Sequence, residues 1–262
     1  MLQRIRRSFF SKKVYLFDLD GTLYLGGRTI SGALSLVDEL RVRNKKIFFF
    51  TNNSSRSEKE YEKKLKKLGF KVGPQEIVMS THSLMKFLRM KNFKRLYVLG
   101  TPAMKKMLSS SGFDLTSKPQ VVVIGFDKTL TYAKLQMATR LIEAGVPYIV
   151  THPDLFCPTD KGREPDCGAI AMLIKAVTDV SPLVTLGKPH GLMMQVAFDR
   201  CRAPKKDMIL IGDRLSTDIQ MARSAGIQSV LVLSGETTRR LLKSSAVKPT
   251  YVVGSVRDLL QS

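Results

Sequence analysis

The run Val14-Tyr15-Leu16-Phe17, closed by Asp18-Leu19-Asp20-Gly21-Thr22, restricts the fold more than any other stretch of the chain. Consecutive large apolar residues without polar alternation suit a strand covered on both faces, as in a parallel sheet packed between helices. Gly21 gives the backbone freedom to leave that strand, so two carboxylates arrive at its C-terminal end. In open α/β sheets this edge is where ligands bind. Taken alone, the stretch reads equally well as a strand followed by an Asp-Gly turn.

The pattern recurs. Lys46-Ile47-Phe48-Phe49-Phe50 runs into Thr51-Asn52-Asn53-Ser54-Ser55, ahead of a helix with Ser57 as its N-cap. Between these two runs lie the turn-rich Tyr24–Arg28 and a helix over 31–43, with Leu34, Val37, Leu40 and Val42 toward a sheet. Met208-Ile209-Leu210-Ile211 ends in Gly212-Asp213, followed by Arg214 to Asp218 and a helix to about Ala225, and the strand 228–233 ends in Ser234-Gly235-Glu236-Thr237. Strands alternating with helices predict an α/β fold, a Rossmann-like doubly wound parallel sheet in three αβα layers. The polar ends then converge on one edge. Thr51 to Ser54 is either a capping loop or, beside helix N-terminal N–H groups, a holder of phosphate oxygens.

A second set of strands, near 95–99, 120–124 and 147–150, alternates with helices through Met107-Leu108 and over 131–144. It is long enough to form a domain. The expected organisation is a core of residues 1–79 and 183–262 with an inserted α/β cap of residues 80–182. The insert's last strand enters Thr151-His152-Pro153-Asp154 and a long loop from Phe156 to Gly168, and long loops in compact α/β domains tend to be functional. His152 or Asp154 touches substrate there, or the loop is held by Asp capping and a Pro-fixed turn; the sequence favours neither. Lys188, between Gly187 and Pro189, points inward at a phosphate or carboxylate, or is a solvated surface lysine.

No segment approaches the ~18 consecutive apolar residues of a membrane span. Three cysteines without a Cys-x-x-Cys spacing read as free thiols in a reducing, cytoplasmic setting. The 43 Lys and Arg against 22 Asp and Glu give a net charge of +21, which attracts polyanions and favours non-specific nucleic-acid contact. The basic residues are scattered and lack an aromatic ladder, so they read first as solvated surface. Met1 to Lys13, basic and without acids, reads as a frayed lead-in, with an organellar presequence as the alternative. A homodimer is left open.

The edge collects Asp18, Asp20, Asp213 and Asp218. Crowded carboxylates need a cation, and Mg²⁺, a hard ion that takes oxygen ligands, suits them better than zinc, which prefers His and Cys. A carboxylate can also attack phosphorus.

In order and spacing, Asp18-Leu19-Asp20-Gly21-Thr22, Thr51-Asn52-Asn53-Ser54, Gly187-Lys188-Pro189 and Gly212-Asp213-Arg214 to Asp218 resemble the four motifs of the haloacid dehalogenase superfamily. The chain is most similar to its NagD-like, 4-nitrophenyl phosphatase-type sugar phosphatases, which carry a large α/β cap between the second and third motifs. The resemblance implies that Asp18 is the nucleophile and that Asp20 is general acid and then base, its main-chain carbonyl also meeting Mg²⁺. It implies that Thr51, Asn52 and Asn53 bind the phosphoryl group, that Lys188 neutralises its charge, and that Asp213 ligates Mg²⁺ with support from Asp218. In the cap it implies a specificity segment at Thr151 to Asp154, with Asp154, Cys167 and Gly168 facing the leaving group. The implied reaction is Mg²⁺-dependent hydrolysis of small phosphomonoesters, such as sugar phosphates, nucleoside monophosphates or 4-nitrophenyl phosphate, through an aspartyl phosphate. Cap motion would hinge near Ser80 and Pro182. Asp20 favours hydrolysis, because pump-type ATPases carry Thr there and dehalogenases do not need the acid. A phosphotransferase or mutase, and a polyanion (RNA)-binding protein without turnover, are the alternatives.

Overall fold

The computed structural model describes residues 2–159 and 162–260. Among these residues, six parallel strands form one sheet in the order Tyr251–Val253, Gln228–Val232, Met208–Gly212, Val14–Asp18, Lys46–Thr51, Ile77–Met79. The strand that opened the sequence argument lies inside this sheet, and its side chains alternate between two cores. Tyr15 and Phe17 face the side carrying helices Ala33–Val42 and Glu58–Lys67, while Val14 and Leu16 face helices Gly191–Cys201 and Gln220–Ala225. All four are fully buried, so the continuous apolar run serves both faces. Each such side chain contributes about 1.5–3 kcal/mol of burial.

A five-stranded parallel sheet of the described residues makes up the inserted unit, in the order Val184–Thr185, Tyr148–Val150, Val121–Ile124, Arg95–Leu99, Asp114–Leu115. This moves the expected boundary. Val184 and Thr185, placed in the core from the sequence, pair with Ile149 and Val150, so the return to the core comes at Leu186 to Lys188. Ser80, expected at a hinge, is buried, and its hydroxyl donates to the Asn52 carbonyl at 2.5 Å.

Several local expectations change as well. The N-terminal segment is a helix, Leu2–Phe10, whose Ile5, Phe9 and Phe10 join the core while Arg4 and Arg7 are exposed and Arg6 donates to the Asp258 carbonyl at 3.0 Å. The spacing of those three residues is helical, so the charge beside them conceals an amphipathic face. Val42 is 83% exposed rather than turned to the sheet. The long loop is largely structured, with hairpin strands Phe156–Thr159 and Gly162–Pro165 leading into helix Cys167–Thr178; Asp160 and Lys161 lie outside the described residues. Ser57 caps its helix as expected, in a reciprocal capping box with Glu60. Among the described residues no helix is long and apolar enough to cross a membrane.

Candidate active site

Because the core strands are parallel, their C-terminal ends share one edge, and the polar residues that end them meet there. Asp18 closes strand Val14–Asp18, Thr51 closes Lys46–Thr51, and Asp213 follows Met208–Gly212. Asp218 comes from one turn of π-helix, Leu215–Ile219, a local irregularity of the kind that re-aims side chains at sites. Gly21 turns the chain with φ +86°, and a Cβ there would stand 2.5 Å from Asp213 Oδ2, so the turn and the packing both require glycine.

Lys188 is 3% exposed and inserts its ammonium between two carboxylates. Nζ donates to Asp18 Oδ1 in a short bond and to Asp218 Oδ1 at 2.7 Å. Burial alone would lower the lysine's pKa, but Asp18 and Asp218 reverse the effect and hold it above the ordinary value. Asp18 Oδ2 accepts from the Thr22 hydroxyl at 3.2 Å, and Asp218 Oδ2 accepts from the Arg214 N–H at 3.2 Å.

Asp213 completes the group. Carboxylate oxygens of Asp18, Asp213 and Asp218 all lie within 4.8 Å of one another. Asp213 Oδ2 accepts from the Glu236 N–H at 2.6 Å, whereas Oδ1 is buried with no hydrogen-bond partner among the described residues. Burial, reinforced by the charges of Asp18 and Asp218, pushes the Asp213 carboxyl well above its usual range. A buried carboxylate oxygen without a donor is expensive unless a cation meets it. Three carboxylates against one ammonium, with oxygen donors only, fit a hard divalent ion.

The Asp20 carboxylate turns away from this group. Its Oδ2 accepts from Tyr24 Oη at 3.0 Å, and Oδ1 lies 3.9 Å from Lys64 Nζ, which also sits 4.0 Å above the Tyr24 ring. Burial raises the Asp20 pKa, Lys64 opposes the rise and the charge of Asp18 adds to it; the net shift is upward. Asp20 is thereby disposed to hold a proton beside the cluster that contains Asp18.

Thr51, Asn52 and Asn53 line the same cleft. Asn52 spends its side chain on Lys188, accepting from the Lys188 N–H at 2.6 Å and donating to its carbonyl at 3.2 Å. The Asn53 side-chain oxygen accepts from Ser55 N–H and Oγ at 2.9 and 2.7 Å, and the Asn53 N–H donates to Thr51 Oγ1 at 3.2 Å. Both amide side chains therefore shape the loop.

Only Asp154 of the four expected cap residues lines the cleft. His152 is fully buried, with Nδ1 3.0 Å from Thr151 Oγ1 and Nε2 2.8 Å from Asp166 Oδ1, so both ring nitrogens are committed. Cys167 is also fully buried, its Sγ donating to Ile124 O at 3.2 Å, and burial lifts its thiol to about 12. Gly168 packs under the loop; a Cβ there would meet Pro153 O at 2.3 Å. These three residues are buried within the cap and do not line the cleft. Gly168→Ala is expected to cost about 1–3 kcal/mol of stability by overpacking, read as a lowered denaturation midpoint.

Residues that the sequence reading gave no role fill the vacated positions. Asp166, the N-cap of helix Cys167–Thr178, lines the cleft, as do Phe156, Cys157 and Pro158 of the hairpin and Arg214 of the core. Hairpin residues are hard to place from sequence because strands this short carry no periodic signal. The cleft around Asp18 holds about 40 Å³ of free space and adjoins a compartment of about 320 Å³ beneath Phe156 and Arg163.

Residues 15–114 match the haloacid dehalogenase-like hydrolase family, and residues 185–259 match a second HAD-hydrolase-like model. The chain is 34% identical over 250 residues to the acid sugar phosphatase of Staphylococcus haemolyticus, covering 94% of each chain. The crystal structure of 4-nitrophenylphosphatase from Thermotoga maritima superimposes with a TM-score of 0.91 at 38% identity, covering 96% of this chain and 97% of that one. Glycerol phosphate phosphatase from Mycobacterium tuberculosis, solved in complex with magnesium, superimposes with a TM-score of 0.89 at 29% identity, covering 96% of this chain and 77% of that one. With the two family matches in chain order and relatives alike over nearly its whole length, the chain belongs to the haloacid dehalogenase-like hydrolases, in the branch of the acid sugar and 4-nitrophenyl phosphatases.

Proposed function

We propose that this hydrolase removes the phosphoryl group from a small phosphorylated metabolite by way of Asp18. The observation that carries the reading is the Lys188 ammonium lodged between Asp18 and Asp218, beside an Asp213 oxygen with no partner among the described residues. Asp18 lies at the mouth of the cluster and supplies the attacking oxygen. Lys188 offsets the charge shared by that carboxylate and the arriving phosphate, and Thr51, which lines the cleft, takes a phosphoryl oxygen. Asp20 protonates the leaving alcohol and, once ionised, takes a proton from the water that attacks phosphorus. Asp18 and Asp213 would hold Mg²⁺, which would supply electrostatic stabilisation of the phosphoryl charge. The adjoining compartment, about 320 Å³, suits a leaving group the size of a sugar or a nitrophenol.

The reading is tested by phosphate release from 4-nitrophenyl phosphate and from sugar phosphates, with Asp20→Asn beside the wild type. Nitrophenolate leaves without a proton, so the variant should still form the phosphorylated enzyme from that substrate. Stopped-flow traces should show a stoichiometric burst of nitrophenolate followed by slow turnover. With a sugar phosphate, whose alcohol needs the proton, the burst should be absent and the rate should fall by about 10²–10⁴-fold. Equal loss on both substrates, without a burst, would remove Asp20 from the acid role. No phosphate release by the folded wild type would remove the phosphatase reading itself.

A further inference from the structure

Two sets of contacts join the inserted unit to the core beside the cleft, while Lys86–Asp199 and His82–Glu58 join them farther away. One is a seam of buried, uncharged hydrogen bonds: Ser54 Oγ lies 3.0 Å from Thr151 Oγ1 and accepts from the Phe126 N–H at 2.8 Å, and Thr101 Oγ1 donates to Ser55 O at 2.8 Å. Ser54 and Thr151 are fully buried, so parting them would strand polar groups away from water. The other contact is charged. Arg214 Nη1 lies 3.3 Å from Asp154 Oδ1 across the cleft, with side-chain exposures of 18% and 12%. Both ends of this pair line the cleft, so each can meet water if they separate.

We propose that Arg214 is a positioning residue that ties cap closure to the catalytic acids through its pair with Asp154. Three further bonds make the connection. The Arg214 N–H donates to Asp218 Oδ2 at 3.2 Å, its Nε lies 2.9 Å from Glu236 Oε2, and the Glu236 N–H donates to Asp213 Oδ2 at 2.6 Å. The side chain that grips the cap is thus anchored to the support of Asp213, while its own backbone supports Asp218. On the cap side, the Asp154 carbonyl accepts from the Gly168 N–H at 2.8 Å, which carries the pull to helix Cys167–Thr178 and its N-cap Asp166. The Phe156 ring, 5.9 Å from the Arg214 guanidinium and 4.1 Å from that of Arg163, covers the cleft when the pair is made. Closure and alignment of the acids then become one event, whose kinetic consequence rests on the phosphatase reading.

The test compares wild type, Asp154→Asn, Arg214→Met and the double variant by hydrogen exchange over residues 151–158 and by steady-state kinetics with Mg²⁺. Each single variant should exchange about tenfold faster in this segment, and the double variant no faster than the faster single, because one interaction is lost in all three. Loss of closure after substrate has bound should lower kcat while leaving KM within about twofold. Asp154→Asn should have no further effect on kcat once Arg214 is absent. Unchanged exchange in the single variants overturns the proposal, as does an Asp154→Asn effect of equal size with and without Arg214. If Arg214→Met does not fold, Arg214→Lys, which keeps the charge but cannot bridge Asp154 and Glu236 together, should give the same exchange signature. A wild type without turnover would end the phosphatase reading and leave the exchange result to decide the proposal.

Discussion

Asp18→Asn is expected to reduce phosphate release from 4-nitrophenyl phosphate by about 10⁴-fold or more, with no nitrophenolate burst, in a protein that remains folded. The size of the effect follows from what the side chain does. An amide matches the carboxylate in shape, so the packing of the 8%-exposed position survives, but its oxygen is too weak a nucleophile to displace an alkoxide or a phenolate from phosphorus. Lys188 loses one of its two anionic partners and keeps Asp218 at 2.7 Å, which limits the structural cost. Rapid-quench assay for acid-stable, hydroxylamine-labile phosphate on the protein gives a second check. The wild type should trap it and the variant should not. Wild-type turnover by Asp18→Asn would falsify the nucleophile assignment, because no other carboxylate is offered that role.

The second large effect is loss of the divalent ion, by chelation or by Asp213→Asn. Both should lower turnover by about 10³-fold or more, and only the chelated wild type should recover when Mg²⁺ is returned. Stability should move the opposite way. Burial, with Asp18 and Asp218 alongside, raises the Asp213 pKa in the folded chain above its unfolded value. A carboxyl shifted in that direction favours the fold when protonated, so the metal-free wild type should lose stability as pH rises from about 4 toward the raised value. Asn carries no charge, and in chelator at neutral pH the variant should be more stable than wild type by about 1 kcal/mol, or about 2–4 °C in Tm. Adding Mg²⁺ should raise the Tm of the wild type and leave the variant nearly unmoved. A variant less stable than wild type in chelator, or one that gains equally from Mg²⁺, would mean that Asp213 is a packing residue and not a metal ligand.

These two predictions concern residues that were legible before any coordinates, and the reason is local. Val14 to Asp18, Lys46 to Thr51 and Met208 to Asp213 each combine an apolar run with a polar stop. A buried parallel strand imposes that pattern on itself, whatever lies elsewhere in the chain. Other elements escaped for equally physical reasons. Ile77–Met79 and Val184–Thr185 are sheet-edge strands of three and two residues, too short for any period. Leu2–Phe10 was obscured because its arginines dominate the composition while three apolar residues do the packing.

The cap shows a different limit. His152, Cys167 and Gly168 are expected at the site through the resemblance of the cap segment to the family's, and all three are buried supports. Burial of a loop residue depends on what packs over it, and neither motif nor spacing records that. Asp154 was marked on the same grounds and does reach the cleft, where its partner is Arg214, sixty positions along the chain.

By itself, then, the sequence determined the parallel α/β architecture, the edge on which chemistry would gather and the acids that gather there. These follow from hydrophobic patterning and residue chemistry, which act over a few neighbouring positions. Only the tertiary structure decided that Lys188 sits between Asp18 and Asp218, that Asp213 keeps one oxygen without a partner among the described residues, that the Asn52 side chain braces Lys188, and that Arg214 reaches the cap. Lys188 and Asp18 are 170 residues apart, and what brings them within a hydrogen bond is the joint packing of two sheets, a property of the folded chain as a whole.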